Sequence, residues 1–421
     1  MSRLTVETTN QILGYLDPRT DLETQSACAL TCRTFLQETR RSRFRTVTVT
    51  KDKACKLLRL TTAQDVLRCV RKIRLRTEVR PEDGDRKSSW VPGLLEAFPP
   101  DSSVQKVRLI GFDDVTDTLI ATLASKFKSI ESLHYDGCDL VIHPGDLAIL
   151  ILPFQELRVF KFTIRNQRYY LVPTPPPTSD SSIPPSTSGL TTLPRPQRLS
   201  RLDIYAGPGR FHGDNRASAL FDAIVTHKLH EHVRDFRFDS LLKLNQQPAE
   251  LATFATDLGP QLTSLTLGSY AYRCRFQNAD AGRKTEAGKQ QVLRGFTSLR
   301  TFKLHDYLQF SWYFDPSLPD LLGMLPASIT SITLELSFSD TFDAAMNANL
   351  DISSKALNKT LLAHFPALQL VHIALRGRSD ALALAIEKML TPHFQALLAA
   401  ERPKGAPNLK VTFSRVQISD W

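Results

Sequence analysis

The stretch Val104-Gln105-Lys106-Val107-Arg108-Leu109 carries apolar residues at its first, fourth and sixth positions, and that spacing recurs along most of the chain. It appears as Val70-Ile73-Leu75, Ile130-Leu133-Tyr135, Leu157-Phe160-Phe162, Leu199-Leu202-Ile204 and Val233-Phe236-Phe238. It continues as Leu262-Leu265-Leu267, Leu299-Phe302-Leu304, Ile329-Ile332-Leu334 and Leu368-Val371-Ile373, with a degenerate last copy at Leu409-Val411-Phe413. The last two apolar positions of each copy are two residues apart, which puts both side chains on one face of a strand. Segments between copies have helical spacing, as in Leu119-Leu123-Phe127, Leu220-Phe221-Ile224-Val225 and Leu382-Ile386-Met389-Leu390. A strand-plus-helix unit cannot bury its apolar face alone, whereas stacked neighbours share a continuous core. The expected fold class is therefore α/β: a solenoid with parallel strands on a concave face and helices on a convex one. An ordinary α/β domain with similar strands is the alternative.

The strand residues between the inward pair point the other way. These are Lys72, Arg74 and Arg76, then Lys106 and Arg108, His134, Lys161, Arg201 and Asp203, and Arg237, followed by Thr266, Lys303, Thr333 and His372. The first half of this outward face is basic and the later half nearly neutral. The net charge is +10, and the window from Arg40 to Arg76 alone holds thirteen Lys/Arg against Asp52 and Asp65, a local +11. Arginine offers a two-pronged match to carboxylate or phosphate. Lys72, Arg74, Arg76, Lys106, Arg108, Lys161 and Arg237 are thus the candidate residues for an acidic or phosphorylated protein ligand. A solvated charged face is the plainer alternative. A nucleic-acid binder is a further one, since phosphate attraction needs such a patch, although interleaved aromatic residues and known binding modules are missing.

Other features are weaker. Residues 172–198 hold eight of the 25 Pro, with Ser and Thr filling much of the rest, and are expected to form a disordered loop between repeats. Trp312 and Tyr313 lie in HDYLQFSWYFDP after the Leu299 copy and are expected to pack a loop on the flank of the array. His227, His230 and His232 crowd together, and Cys28 and Cys32 are four apart, but no HExxH or second cysteine pair completes a metal set. No phosphate loop or nucleophile elbow is present, so no enzyme chemistry and no cofactor are expected. Six scattered Cys, no run near the roughly 18–20 apolar residues of a membrane span, and no secretory h-region point to a cytoplasmic or nuclear protein.

The first 45 residues stand outside the repeat. Val6, Ile12, Leu13 and Leu16 fit one side of a short helix ended by Asp17-Pro18. A second helix would carry Leu22, Ala27, Cys28 and Leu30, and a third Phe35 and Leu36 ahead of Arg40-Arg41-Ser42-Arg43. This segment resembles the F-box family through Leu4, Val6-Glu7, Ile12-Leu13, Leu16-Asp17-Pro18, Leu22 and Cys28-Ala29-Leu30-Thr31-Cys32-Arg33-Thr34-Phe35. The passage Arg41-Ser42-Arg43-Phe44-Arg45-Thr46-Val47 resembles the way fungal members run from the F-box into a first strand. Thr5 stands where the family usually has Pro, Thr8 where an apolar residue is common, and Phe35 where Trp is frequent. The repeats behind resemble the leucine-rich-repeat class of that family. The resemblance implies an F-box module at 1–45 and a leucine-rich-repeat-like solenoid at 46–421. It implies a Skp-type adaptor bound through Leu4, Val6, Ile12, Leu13, Leu16, Leu30 and Phe35, a cullin–RING scaffold beyond it, and a protein substrate on the solenoid.

Overall fold

At the start of nearly every strand, two successive backbone N–H groups share one carbonyl of the preceding repeat. Gln105 and Lys106 both donate to Arg71 O at 2.8 and 3.1 Å, and Glu131 and Ser132 both donate to Gln105 O at 2.8 and 3.0 Å. The same fork recurs later, with Arg234 and Asp235 on Ser200 O and Gln369 and Leu370 on Thr330 O. Each fork sits just after the first apolar residue of a copy and fixes the register of the strand that follows. A slip of one residue would turn the whole apolar set to the wrong face.

In this computed structural model, the residues described are 8, 11, 15–16, 21–31, 33–60, 63–77, 88–112, 115–138, 148–164, 196, 198–206, 224–240, 257–268, 293, 295–308, 317–338, 357–377, 379–399 and 405–417. They form two compact units, Met1–Ile164 with Pro176–Arg198, and Arg165–Pro175 with Leu199–Trp421. The expected loop at 172–198 lies almost wholly outside the described residues, as do Trp312 and Tyr313.

The first unit contains α1 (Leu22–Thr31), α2 (Arg33–Phe44), β1 (Thr46–Val49), α3 (Lys51–Leu58), α4 (Ala63–Cys69) and β2 (Lys72–Arg76). There follow α5 (Val91–Ala97), β3 (Lys106–Ile110), α6 (Asp117–Lys126), β4 (Ser132–Asp136) and β5 (Val159–Ile164). Its five strands are parallel and neighbour one another in chain order. Ile73, Val107, Leu133 and Phe160 form one buried row across them, and Leu75, Leu109, Tyr135 and Phe162 the next. A fully buried side chain of this kind contributes about 1.5–3 kcal/mol. Helices cover that face, with α3, α4 and α6 each packing on α5. Phe98, just after α5, meets Phe127 edge-on at 5.0 Å just after α6. The α6 helix starts at Thr116, whose hydroxyl accepts from Leu119 N at 3.3 Å.

The second unit holds β6 (Arg201–Ala206), β7 (Asp235–Ser240), β8 (Ser264–Gly268), β9 (Thr301–Leu308), α7 (Ser317–Met324), β10 (Ser331–Phe338), β11 (Leu370–Gly377), α8 (Asp380–Ala399) and β12 (Lys410–Gln417). These seven strands are likewise parallel and in chain order. Leu202, Phe236, Leu265, Phe302, Ile332 and Val371 repeat the buried row of the first unit. The chain thus has an α/β, leucine-rich-repeat-like fold.

Three local details go beyond the repeat pattern. A strand precedes the first copy, at the place where Arg41–Val47 resembles a passage into a first strand: Thr46–Val49 pairs with β2 from Thr46↔Lys72 to Val49↔Leu75. The third helix runs through the basic stretch to Phe44 instead of stopping before it. Arginine is a good helix former and its charge suits a helix C-terminus, while Arg43 ties α2 to α1 through Gln25 Oε1 at 3.3 Å and Ser26 Oγ at 2.8 Å. Strand β9 runs on through Tyr307 to Leu308, because β9 to β11 each extend past the six-residue motif.

A candidate ligand face and a helical end

On β2 the three outward cations Lys72, Arg74 and Arg76 have no acidic neighbour across either edge. The β1 residues beside Lys72 and Arg74 are Thr46 and Thr48. On the other side, Lys72 faces Lys106, Arg74 faces Arg108 and Arg76 faces Ile110. The row continues from Arg108 to His134 and Lys161. Strands lie about 4.8 Å apart, and like charges directly opposite are destabilising. Burial and the charges of Arg74, Lys106 and Arg108 push the Lys72 ammonium below its ordinary value. Arg74 Nε is buried with no hydrogen-bond partner, an arrangement that costs free energy until an acceptor arrives.

Arg108 differs from its neighbours. One terminal nitrogen of its guanidinium is tied to Asp136, which lies diagonally one strand over and is almost wholly buried. Beyond it, His134 Nε2 lies 3.2 Å from Thr163 Oγ1. The outward positions of β2 to β5 carry no Phe, Tyr or Trp. Of the predicted ligand residues, Lys72, Arg74, Arg76, Lys106, Arg108 and Lys161 share one face of the first unit, and Arg237 stands on β7 of the second.

The same face of the second unit is internally matched. Glu335 on β10 is buried, and its carboxylate meets both Lys303 on β9 and Arg376 on β11. Burial alone would raise this carboxyl, but the hydrogen bond from Lys303 and the charges of Lys303, His305 and Arg376 outweigh it and hold it below the ordinary carboxylate value. Arg201 grips Asp203 with two nitrogens at 2.9 and 3.1 Å and reaches Asp235 at 3.3 Å. His305 Nε2 lies 3.2 Å from Ser337 Oγ. His372 has Nδ1 at 2.8 Å from Thr412 Oγ1 and Nε2 at 3.0 Å from Ser414 Oγ. Sequence reasoning missed Glu335, Asp136 and Arg376. Glu335 and Asp136 lie one alternation beyond the motif and Arg376 two, so following the strands two to four residues further would have found them.

At the N-terminal end, Thr8 and Gln11 are helical, and Gln25 Nε2 donates to Leu16 O at 3.3 Å. Leu30 and Tyr15 are each 89% exposed, which is rare for large apolar side chains, whereas Phe35 is buried at 8%. Phe35 is therefore a packing residue of the helical end in this structure. Leu16 is half-buried, and Leu4, Val6, Ile12 and Leu13 lie outside the described residues. His230 is buried, with Nδ1 3.5 Å from Ile224 O, and among the described residues no three metal-binding side chains come together. Among them, too, no helix is long and apolar enough to cross a membrane, and Cys28, Cys55, Cys69 and Cys138 are free thiols.

No protein-family profile matches the chain, and no curated protein matches it. Solved structures similar in fold at low identity include the following two. The leucine-rich repeat-containing protein LegL7 from Legionella pneumophila is 13% identical, covering 82% of this chain and 97% of that one, with a TM-score of 0.42. The yeast Rad7 and Elc1 complex contains a chain 11% identical, covering 96% of this chain and 91% of that one, with a TM-score of 0.30.

Proposed function

We propose that this chain is the substrate-recognition subunit of a Skp–cullin–F-box type ubiquitin ligase. Its first 45 residues dock on a Skp-type adaptor, and through it on a cullin–RING scaffold. The repeats behind hold an acidic or phosphorylated protein substrate. The chain performs no bond chemistry itself: it raises the local concentration of a substrate lysine near an activated ubiquitin. The observation that carries this reading is the exposure of both Leu30 and Tyr15 at a helical end, ahead of repeats in which Lys72, Arg74 and Arg76 of β2 have no ion-pair partner among the described residues. Large apolar side chains left in water at the end of so small a helical module mark a partner surface.

Leu30, with Leu4, Val6, Ile12, Leu13 and Leu16, would supply the adaptor contact, and Phe35 would support it from within. Lys72, Arg74, Arg76, Lys106, Arg108, Lys161 and Arg237 are the proposed substrate residues. Co-purification with a Skp-type adaptor tests the reading. The pair Leu30→Asp and Tyr15→Asp should lose most adaptor recovery while the strand core still melts at the same temperature. Undiminished recovery in that pair and in Leu13→Asp with Leu16→Asp would remove the ligase assignment and leave a non-catalytic interaction scaffold.

A further inference from the structure

We infer that the ligand of the first unit's basic face is an extended peptide with oxyanion-bearing side chains at alternate positions, laid along β2 over Lys72, Arg74 and Arg76. This deepens the receptor reading and rests on its assignment of that face to the substrate.

Three observations lead there. The first is pairing. Lys72, Arg74, Arg76 and Lys106 have no ion-pair partner among the described residues, while Arg108 one strand over is committed to Asp136. The free cations therefore lie along β2 and the adjoining end of β3, and Asp136 marks where an incoming anion would begin to be repelled. The second is the orphaned Arg74 Nε, a state shared by the Nε of Arg108 directly across on β3, whose terminal nitrogen is nonetheless held by Asp136. Arg74 stands midway between Lys72 and Arg76 on the same strand, so the middle anion of three meets a donor with no other use. The third is spacing. Alternate residues of a strand repeat every 6.6–6.8 Å or so, and those of an extended peptide repeat at the same interval. Side chains i, i+2 and i+4 of such a peptide thus come into register with Lys72, Arg74 and Arg76. A path across the strands would meet cations about 4.8 Å apart, which that interval does not match.

A nucleic acid would also supply oxyanions. The outward positions of β2 to β5 carry no Phe, Tyr or Trp for bases to stack on, and base stacking on aromatic rings is a main source of single-strand affinity. The described face therefore favours a peptide. Carboxylate and phosphoryl groups share the required chemistry, and the probes separate them.

The test uses the full chain and fluorescent peptides. Gln-Asp-Gln-Asp-Gln-Asp-Gln is compared with Gln-Gln-Asp-Asp-Asp-Gln-Gln, which has the same composition, and the same two arrangements are made with phosphoserine in place of Asp. At least one alternating peptide should bind several-fold more tightly than the block peptide of its own composition, and which one does so identifies the source of the anions. Arg74→Gln should weaken that binding by about tenfold or more, as loss of a charge-assisted hydrogen bond implies. Lys388→Gln, the same charge loss at an exposed position of α8, should leave it unchanged, with equal melting temperatures for both variants. Equal binding of alternating and block peptides, an equal loss in Lys388→Gln, tighter binding of single-stranded DNA than of any peptide, or no peptide binding at all would each overturn the inference. A chain that captures the Skp-type adaptor yet shows any of these results loses this inference and keeps the ligase reading. One that binds the alternating peptide but no adaptor does the reverse.

Discussion

The two units use one strand geometry to opposite electrostatic ends. In the second, an acid on one strand sits diagonally between cations of both neighbours, as Glu335 does between Lys303 and Arg376. In the first, among the described residues, the equivalent diagonal is filled once, by Asp136 against Arg108, and β2 is left with Lys72 and Arg74 between threonines and further cations and with Arg76 beside Ile110. Both sheets bury the same apolar rows, so hydrophobic packing does not account for the difference. A charge arrangement that costs stability and is kept on an exposed face is a reason to look for a ligand. An arrangement that satisfies itself is a reason to assign it to the fold.

The largest expected effect breaks the satisfied side. Glu335→Ala leaves Lys303 and Arg376 repelling each other across β10. Breaking a buried pair costs about 3–5 kcal/mol, and the partial exposure of both cations reduces this to about 2 kcal/mol. The loss should be read in the melting temperature and in faster amide exchange of β9 to β11. Next comes a backbone position. Gly111 follows β3 at φ +70°, and a Cβ there would stand 3.2 Å from Thr77 Oγ1. Gly111→Ala should cost about 1–2 kcal/mol by denaturant titration, since left-handed backbone is costly for any residue with a Cβ.

The two faces should also respond oppositely to pH and to salt. The Glu335 carboxyl is held below its ordinary value. Its contribution to stability is therefore fully present above a pH of about 4.5 and is lost as pH falls through the lower folded-state value. The Lys72 ammonium is also lowered, but for a cation that sign means a penalty. The penalty is present at neutral pH and is relieved as pH rises through the folded-state value toward about 10.4. Added salt should accordingly protect the amides of β2 and β3 slightly while loosening those of β9 to β11. The smallest effect lies in the core of the first unit. The hydroxyl of Tyr135 is buried without a hydrogen-bond partner, so Tyr135→Phe should be neutral or stabilising by about 1 kcal/mol in a thermal melt.

Much of this is legible in the sequence. Ile73 with Leu75, and Ile332 with Leu334, read as inward pairs because alternation leaves a single choice once one face must be buried. The same alternation placed Lys72, Arg74 and Lys106 outward together. The strand Thr46–Val49 is marked by the family resemblance at Arg41–Val47 and not by the repeat, because its alternation is Thr with Val, without the leading apolar residue of the copies behind it. Glu335 and Arg376 were missed because β10 and β11 outrun the motif, and strand length depends on what the neighbouring strand can pair with. The division of labour between Leu30 and Phe35 was not legible at all. In so small a helical module both are apolar at helical spacing, and only the packing of α1 on α2 decides which one stays in water.

Zero-length carbodiimide cross-linking of the alternating Asp peptide to the full chain, mapped by mass spectrometry, decides whether the anions settle on β2. It joins carboxylates to the amines they touch. The account predicts cross-links at Lys72 and Lys106 that disappear in Arg74→Gln, and none at Lys303, whose partner is already Glu335. Cross-links spread evenly over exposed lysines such as Lys51 and Lys388, or concentrated at Lys303, would contradict it.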